Sequence, residues 1–80
     1  MARFVPQNRY RMVCLESGRV IVVFQLYPEM RPLESCRQAC QELGIDPADG
    51  NYRLDSLKQN TRTKKFRWSR VYRFCLERYS

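Results

Sequence analysis

Two apolar runs, bounded by polar and turn residues, dominate the first third of the chain. Residues 10–15 and 19–27 are dense in β-branched and aromatic side chains, with Tyr10, Met12 and Val13 in the first run and Val20 to Phe24 in the second, and both runs predict strands. Ser17-Gly18 lies between them and fits a two-residue turn, because Gly accepts the positive φ that such loops need. With that turn Glu16 opposes Arg19, an opposite-charge cross-strand pair. Leu15, Val13 and Arg11 then share one face with Val20, Val22 and Phe24. Cys14, Met12 and Tyr10 share the other with Ile21, Val23 and Gln25. Both faces are apolar at their centres, which favours a hairpin buried in a sheet over one that offers a face to a partner.

Pro28 and Pro32 end the strand pattern, and Pro32 suits the first position of a helix, where its missing N–H costs nothing. Leu33, Cys36, Ala39, Cys40 and Leu43 recur at helical spacing on one arc, and Glu34, Arg37, Gln38, Gln41 and Glu42 cover the rest. Gly44 is placed for a left-handed cap and Ile45 for the hydrophobic contact that closes it. The spacing thus predicts a helix over 32–43. Residues 46–51 form a turn cluster, and alternation at Tyr52, Leu54 and Ser56 predicts a third strand over 52–57. Residues 58–65 are polar and basic and read as an exposed loop.

Two periods compete at the C-terminal end. Phe66, Trp68, Tyr72, Phe74 and Leu76 alternate with polar positions, an alternation spoiled at Arg70 and Val71. Trp68, Val71, Tyr72, Cys75, Leu76 and Tyr79 instead match one face of a helix. High β-propensity favours the strand. So does the crowd of cations at what would be a helix N-terminus, where the dipole disfavours them. The expected fold is α+β over a single domain, residues 1–80. An antiparallel sheet, made of the N-terminal hairpin and one or two further strands, carries one central amphipathic helix. The order is β-β-α-β-β, with a helical C-terminal element as the alternative.

Composition narrows the chemistry. The chain has 80 residues, 44% hydrophobic and 29% charged, an ordinary balance for a folded domain. At this size roughly 60–65% of the unfolded surface is buried, so the core is small. The longest apolar run, residues 20–24, is far short of the ~20 residues that span a bilayer. Residues 1–10 carry Arg3 and Arg9 around Phe4-Val5-Pro6, which is no secretory signal. The expectation is a cytoplasmic protein without membrane contact, its cysteines kept as thiols.

There is no histidine, which removes Ser-His-Asp, Cys-His and His-metal chemistry. The three glycines, Gly18, Gly44 and Gly50, are scattered and form no phosphate-cradling loop. Asp46, Asp49 and Asp55 sit around a turn, where Asp commonly bonds local backbone, and Glu34 and Glu42 lie two turns apart on the helix. Cys36 and Cys40 stand at i, i+4, and Cys14 with Cys75 could complete a zinc site. Against zinc, the helical pair lies on the apolar stripe and no Cys-x-x-Cys knuckle exists, so buried thiols without metal are expected. We expect no catalytic activity, no cofactor and no small-molecule substrate.

Charge is what stands out. Lys and Arg number 15 against 8 acids, a formal net charge of +7. The first thirty residues hold four arginines against two glutamates, and the middle thirty hold four cations against five acids. The last twenty hold seven cations against Glu77 alone. Arg predominates over Lys, and its planar fork suits phosphates, carboxylates and aromatic faces. In residues 62–73 the cations Arg62, Lys64, Lys65, Arg67, Arg70 and Arg73 interleave with Phe66, Trp68 and Tyr72. Such a tract neutralises phosphates and stacks bases. As a strand it is expected to put its rings on one face and Arg67 and Arg73 on the other. Tyr72, Phe74 and Leu76 weigh towards the core, while Trp68 could serve either side. Arg3, Arg9 and Arg11 extend the basic patch if the first strand lies near the C-terminal segment.

The expected function is therefore a small nucleic-acid-binding protein, regulatory or accessory, that uses Arg62, Lys64, Lys65, Phe66, Arg67, Trp68, Arg70 and Arg73 together with Arg9 and Arg11. DNA and RNA stand level, and no finger, RNP or Gly-x-x-Gly fingerprint is present. The alternative is a protein-binding module or inhibitor that docks on an acidic surface of a host complex. Small single-domain chains of that kind are common among phage and mobile-element proteins, anti-defence proteins included. A monomer or a homodimer fits either reading, because the hairpin is apolar on both faces.

Overall fold

Strand structure begins at Phe4, six residues before the apolar run that starts at Tyr10. The computed structural model describes residues 3–26 and 29–77, in the order β1 (Phe4–Cys14), β2 (Val20–Gln25), α1 (Pro32–Glu42), β3 (Gly50–Asn60) and β4 (Phe66–Leu76). Tyr27 and Pro28, read above as strand end and strand break, lie outside the described residues, as does Tyr79 of the helical alternative. The β-β-α-β-β order is as expected, and strand predominates. The four strands form one antiparallel sheet in the order β2-β1-β3-β4. Helix α1 crosses one face and packs on β1 and β2. No helix among the described residues is long and apolar enough to cross a membrane.

The core lies between α1 and the sheet. Met12, Val22, Phe24, Cys36, Ala39, Cys40, Tyr52 and Leu54 are buried together, with Leu54 at 0% exposure. Burying a large apolar side chain contributes roughly 1.5–3 kcal/mol. Tyr10 stacks on Phe24 and Tyr52 on Phe74, each at 5.8 Å between ring centroids. The expected helix ending is present: Gly44 has φ +67°, its N–H donates to Gln41 O, and the Ile45 N–H donates to Cys40 O at 2.8 Å. The stripe itself needs one correction. Leu43 is 65% exposed, because the helix stops at Glu42 and Leu43 falls at its C-cap, off the helical stripe, while Ser35 is fully buried.

The first hairpin is one residue out of the expected register. Cys14 N–H donates to Arg19 O and Gly18 N–H to Cys14 O, which closes a four-residue loop, 15–18, in place of the two-residue Ser17-Gly18 turn. Gly18 takes the left-handed position at the end of that loop, at φ +74°. Ile21 is then an extra residue opposite the Met12/Val13 step, and Met12 pairs with Val22, Tyr10 with Phe24 and Arg11 with Val23. A slip of one residue exchanges partners between faces. Met12 and Tyr10 therefore share the core face with Val22 and Phe24, and Arg11 and Arg9 share the other with Val23 and Gln25.

Residues 58–60 continue β3 and are not loop. The β3–β4 loop, 61–64, repeats the first loop's closure: Asn60 N–H donates to Lys65 O and Lys64 N–H to Asn60 O, both at 2.8 Å. The C-terminal element is a strand, as favoured. The flaw in its alternation is a bulge: Arg70 pairs with Asp55 and Tyr72 with Leu54, which leaves Val71 over. Rings consequently fall on both faces, contrary to the expectation of one aromatic face. Phe66, Trp68, Arg70 and Arg73 register with the uncovered face, and Tyr72, Phe74 and Leu76 with the helix side.

Candidate nucleic-acid interface

Because α1 covers one side only, the alternate residues of every strand face outward on the other. Arg9 and Arg11 come from β1, Val23 and Gln25 from β2. Arg53, Asp55 and Leu57 come from β3, and Phe66, Trp68, Arg70 and Arg73 from β4. At the centre Asp55 is 2% exposed. Its Oδ2 accepts from Arg11 Nε and its Oδ1 from Arg53 Nε, each at 2.8 Å. A buried carboxylate is tolerable only when paired in this way. Arg11 also lies over the Trp68 ring, its guanidinium carbon 4.6 Å from the centroid. One acid and one indole thus hold two arginines in set orientations.

Arg70 and Arg73, both exposed, stand beside this pair around a concavity of about 330 Å³ that Arg11, Arg53, Asp55 and Trp68 complete. Among the described residues no cation of the tract forms an ion pair. Both salt bridges belong to Asp55, and neither partner comes from residues 62–73. A second groove, of about 540 Å³, crosses all four strands on the same face. It is lined by Gln7, Arg9, Val23, Gln25, Leu57, Phe66 and Trp68.

The sequence-predicted residues divide into three groups. Arg9, Arg11, Phe66, Trp68, Arg70 and Arg73 meet on the open face. Arg62, Lys64 and Lys65 stand at the exposed β3–β4 loop and its exit. Asn60 Oδ1 holds this loop by accepting from the N–H groups of Arg62 and Thr63, and Lys64 takes φ +63° there, a conformation that glycine fills in the first hairpin. Arg67 lies on the opposite side, its guanidinium carbon 3.6 Å from the centroid of the Phe4 ring. β1 and β4 are not neighbours, since β3 separates them. The N-terminal cations nevertheless reach both parts: Arg9 and Arg11 through the face, and Arg3 through paired hydrogen bonds with Thr61.

Arg53, Asp55, Leu57, Gln7 and Gln25 line the same face without being among the sequence-predicted residues. The signal for three of them was present: alternation that puts Tyr52, Leu54 and Ser56 on one face puts Arg53, Asp55 and Leu57 together on the other.

Cys14, Cys36 and Cys40 lie on the helix side of the sheet, and Cys75 shares the open face with Arg73. Burial, and then the neighbouring Cys40, push the Cys36 thiol up to about 12, and burial raises Cys40 as well. Both are therefore protonated at neutral pH, and Cys36 Sγ lies 3.4 Å from Met12 Sδ. Cys14 is shifted down by hydrogen bonding to the Ser17 hydroxyl and backbone. Cys75 is exposed on β4. No three Cys, Asp or Glu side chains among the described residues converge to hold a metal ion. A cleft of about 440 Å³ opens between α1 and β4, walled by Leu33, Cys36, Cys40, Ile45, Phe74 and Leu76. No known protein family, curated protein or solved structure matches the chain.

Proposed function

We propose that the chain is a nucleic-acid-binding protein, without catalytic activity of its own, that holds the sugar–phosphate backbone against the open face of its sheet. One observation carries this reading: among the described residues five arginines, Arg9, Arg11, Arg53, Arg70 and Arg73, share that face with a single carboxylate, Asp55, whose two oxygens are already taken by Arg11 and Arg53. The remaining positive charge is met by nothing within the described face, and a polyanion supplies what is missing. The basic loop bearing Arg62, Lys64 and Lys65 extends the contact beyond the end of the sheet.

Salt dependence of binding is the test. Affinity for mixed-sequence DNA or RNA falls steeply between low and physiological salt, and each phosphate contact removed lowers the slope by about one. Replacing Arg70 and Arg73 together by Ala flattens the slope, whereas Arg67→Ala, on the far side against Phe4, changes it little. A chain that binds neither polymer at low salt overturns the reading and moves the search to an acidic protein partner, by pull-down.

A further inference from the structure

The open face carries two different surfaces, and a phosphate backbone alone would use only one of them. The concavity around Arg70 and Arg73 is charged. The groove beside it has Val23 and Leu57 in its lining, with the amides of Gln7 and Gln25, Arg9 at one side, and the rings of Phe66 and Trp68 at the other. Phe66 is 59% exposed and Val23 49%, large apolar surfaces left without cover. The groove's volume of about 540 Å³ lies within the range typical of small-ligand sites. The Gln7 side-chain amide donates to Val5 O at 3.0 Å, which steadies it beside the groove.

We propose that this groove takes an unpaired nucleobase, so that the ligand of the open face is a single-stranded nucleic acid. The proposal rests on the polyanion reading above and deepens it. Aromatic rings interleaved with cations form a stacking platform for any base, because every base has a π-face. In a duplex those faces are closed against each other, and only base edges in the grooves are reachable. Entry of the basic β3–β4 loop into a duplex groove would leave Phe66, Val23 and the two amides unused. In the single-strand mode each has a part. Phe66 stacks on a base at the β4 end of the groove, and Val23 lies under the neighbouring nucleotide at the β2 end. Gln25 and Gln7 meet the polar edge, since a carboxamide pairs donor with acceptor there. The phosphates flanking that base run over Arg9 on one side and Arg70 and Arg73 on the other. Trp68 divides the two surfaces, and Arg11 stacked on its ring stands at the crossing.

Trp68 is the single tryptophan of the chain, so its fluorescence reports directly on this groove. Three probes of about 12 units, within the site sizes such platforms use, separate the possibilities: an oligothymidylate single strand, a duplex, and an abasic sugar–phosphate strand. The single strand is expected to quench Trp68 and to bind at least tenfold more tightly than the duplex. The abasic strand binds about tenfold more weakly than the oligothymidylate and leaves Trp68 unquenched. Phe66→Ala lowers single-strand affinity about tenfold or more while leaving duplex and abasic binding unchanged. Phe66 is largely exposed, so this variant should keep the wild-type melting temperature. Equal affinity for duplex and single strand, or an unaffected Phe66→Ala variant, overturns the base site and leaves the polyanion reading standing. Failure of all three probes to bind at low salt overturns both.

Discussion

The two faces of the sheet use much the same residues to opposite ends. Under α1, Met12, Val22, Phe24, Tyr52 and Leu54 close into a core in which Phe24 stacks on Tyr10 and Tyr52 on Phe74. On the far side, Val23, Leu57, Phe66 and Trp68 are similar in kind but alternate with arginines, and no second layer covers them among the described residues. An apolar surface becomes core only where another element removes it from water. Where guanidinium groups stand between the rings instead, the same surface stays half-open. The lone acid there organises two cations without neutralising the face.

The largest expected effects come from attacking what each face cannot replace. Replacing Arg11 and Arg53 together by Ala strands the buried Asp55 carboxylate and is expected to cost on the order of 3–4 kcal/mol in urea unfolding. Leu54→Ala on the covered face should cost roughly 3 kcal/mol, through lost transfer energy and the cavity left behind. Arg70→Ala, by contrast, should change stability by less than about 0.5 kcal/mol while weakening polyanion binding. Comparable losses of stability for Leu54→Ala and Arg70→Ala would mean that the two faces are not divided as described.

A smaller and more diagnostic effect is expected at the bulge. Deleting Val71 makes Arg70 and Tyr72 consecutive opposite Asp55 and Leu54, which restores a regular ladder with every other β4 side chain on its present face. Deletion of a residue inside a strand ordinarily flips all that follows. Here it should cost no more than about 1 kcal/mol and should leave Trp68 fluorescence native-like. Unfolding of the deletion variant would disprove the pairing that sets the two faces apart.

The smallest effect at neutral pH grows in alkali. Cys36 holds its proton up to about 12 in the folded chain, against an ordinary 9.0, first because it is buried and then because Cys40 is near. Burial moves Tyr52 and Tyr72 the same way. A raised folded value means that the stabilisation is whole below about pH 9 and is lost as pH climbs from there towards 12. The thermal midpoint should therefore fall over that window, and Cys36→Ala should make the fall shallower. An alkaline profile identical in the variant would show that the thiol is not sealed under the helix.

Much of the fold was legible in the pattern. Helix 32–43 came within one residue of α1, with Pro32 at its start and the Gly44–Ile45 ending in place, because those signals act through local backbone geometry. Strand β3 was recognisable from Tyr52, Leu54 and Ser56. The hairpin register was not, since Ser17-Gly18 suits a two-residue turn and also the end of a four-residue loop, and only pairing with the rest of the sheet separates the two. The flaw at Arg70-Val71 was visible but mute: a bulge and a helical period disturb alternation alike. Of the residues that meet on the open face, charge and ring content single out Arg9, Arg11, Phe66, Trp68, Arg70 and Arg73. Arg67 was placed with them although its strand turns it towards Phe4.

What this amino-acid order determined by itself is local: where the helix begins and ends, which segments extend, and that positive charge gathers near the C-terminal end. Those properties need only neighbours within a few positions. The tertiary structure decided which of the two sides of each strand is covered, that Asp55 stands between Arg11 and Arg53, and that Phe66 and Trp68 line a groove with Gln7 and Gln25. Side chains forty or more positions apart meet only after loop closures and bulges have set the register, and period-two alternation is indifferent to a slip of one residue until a second layer makes one side dry.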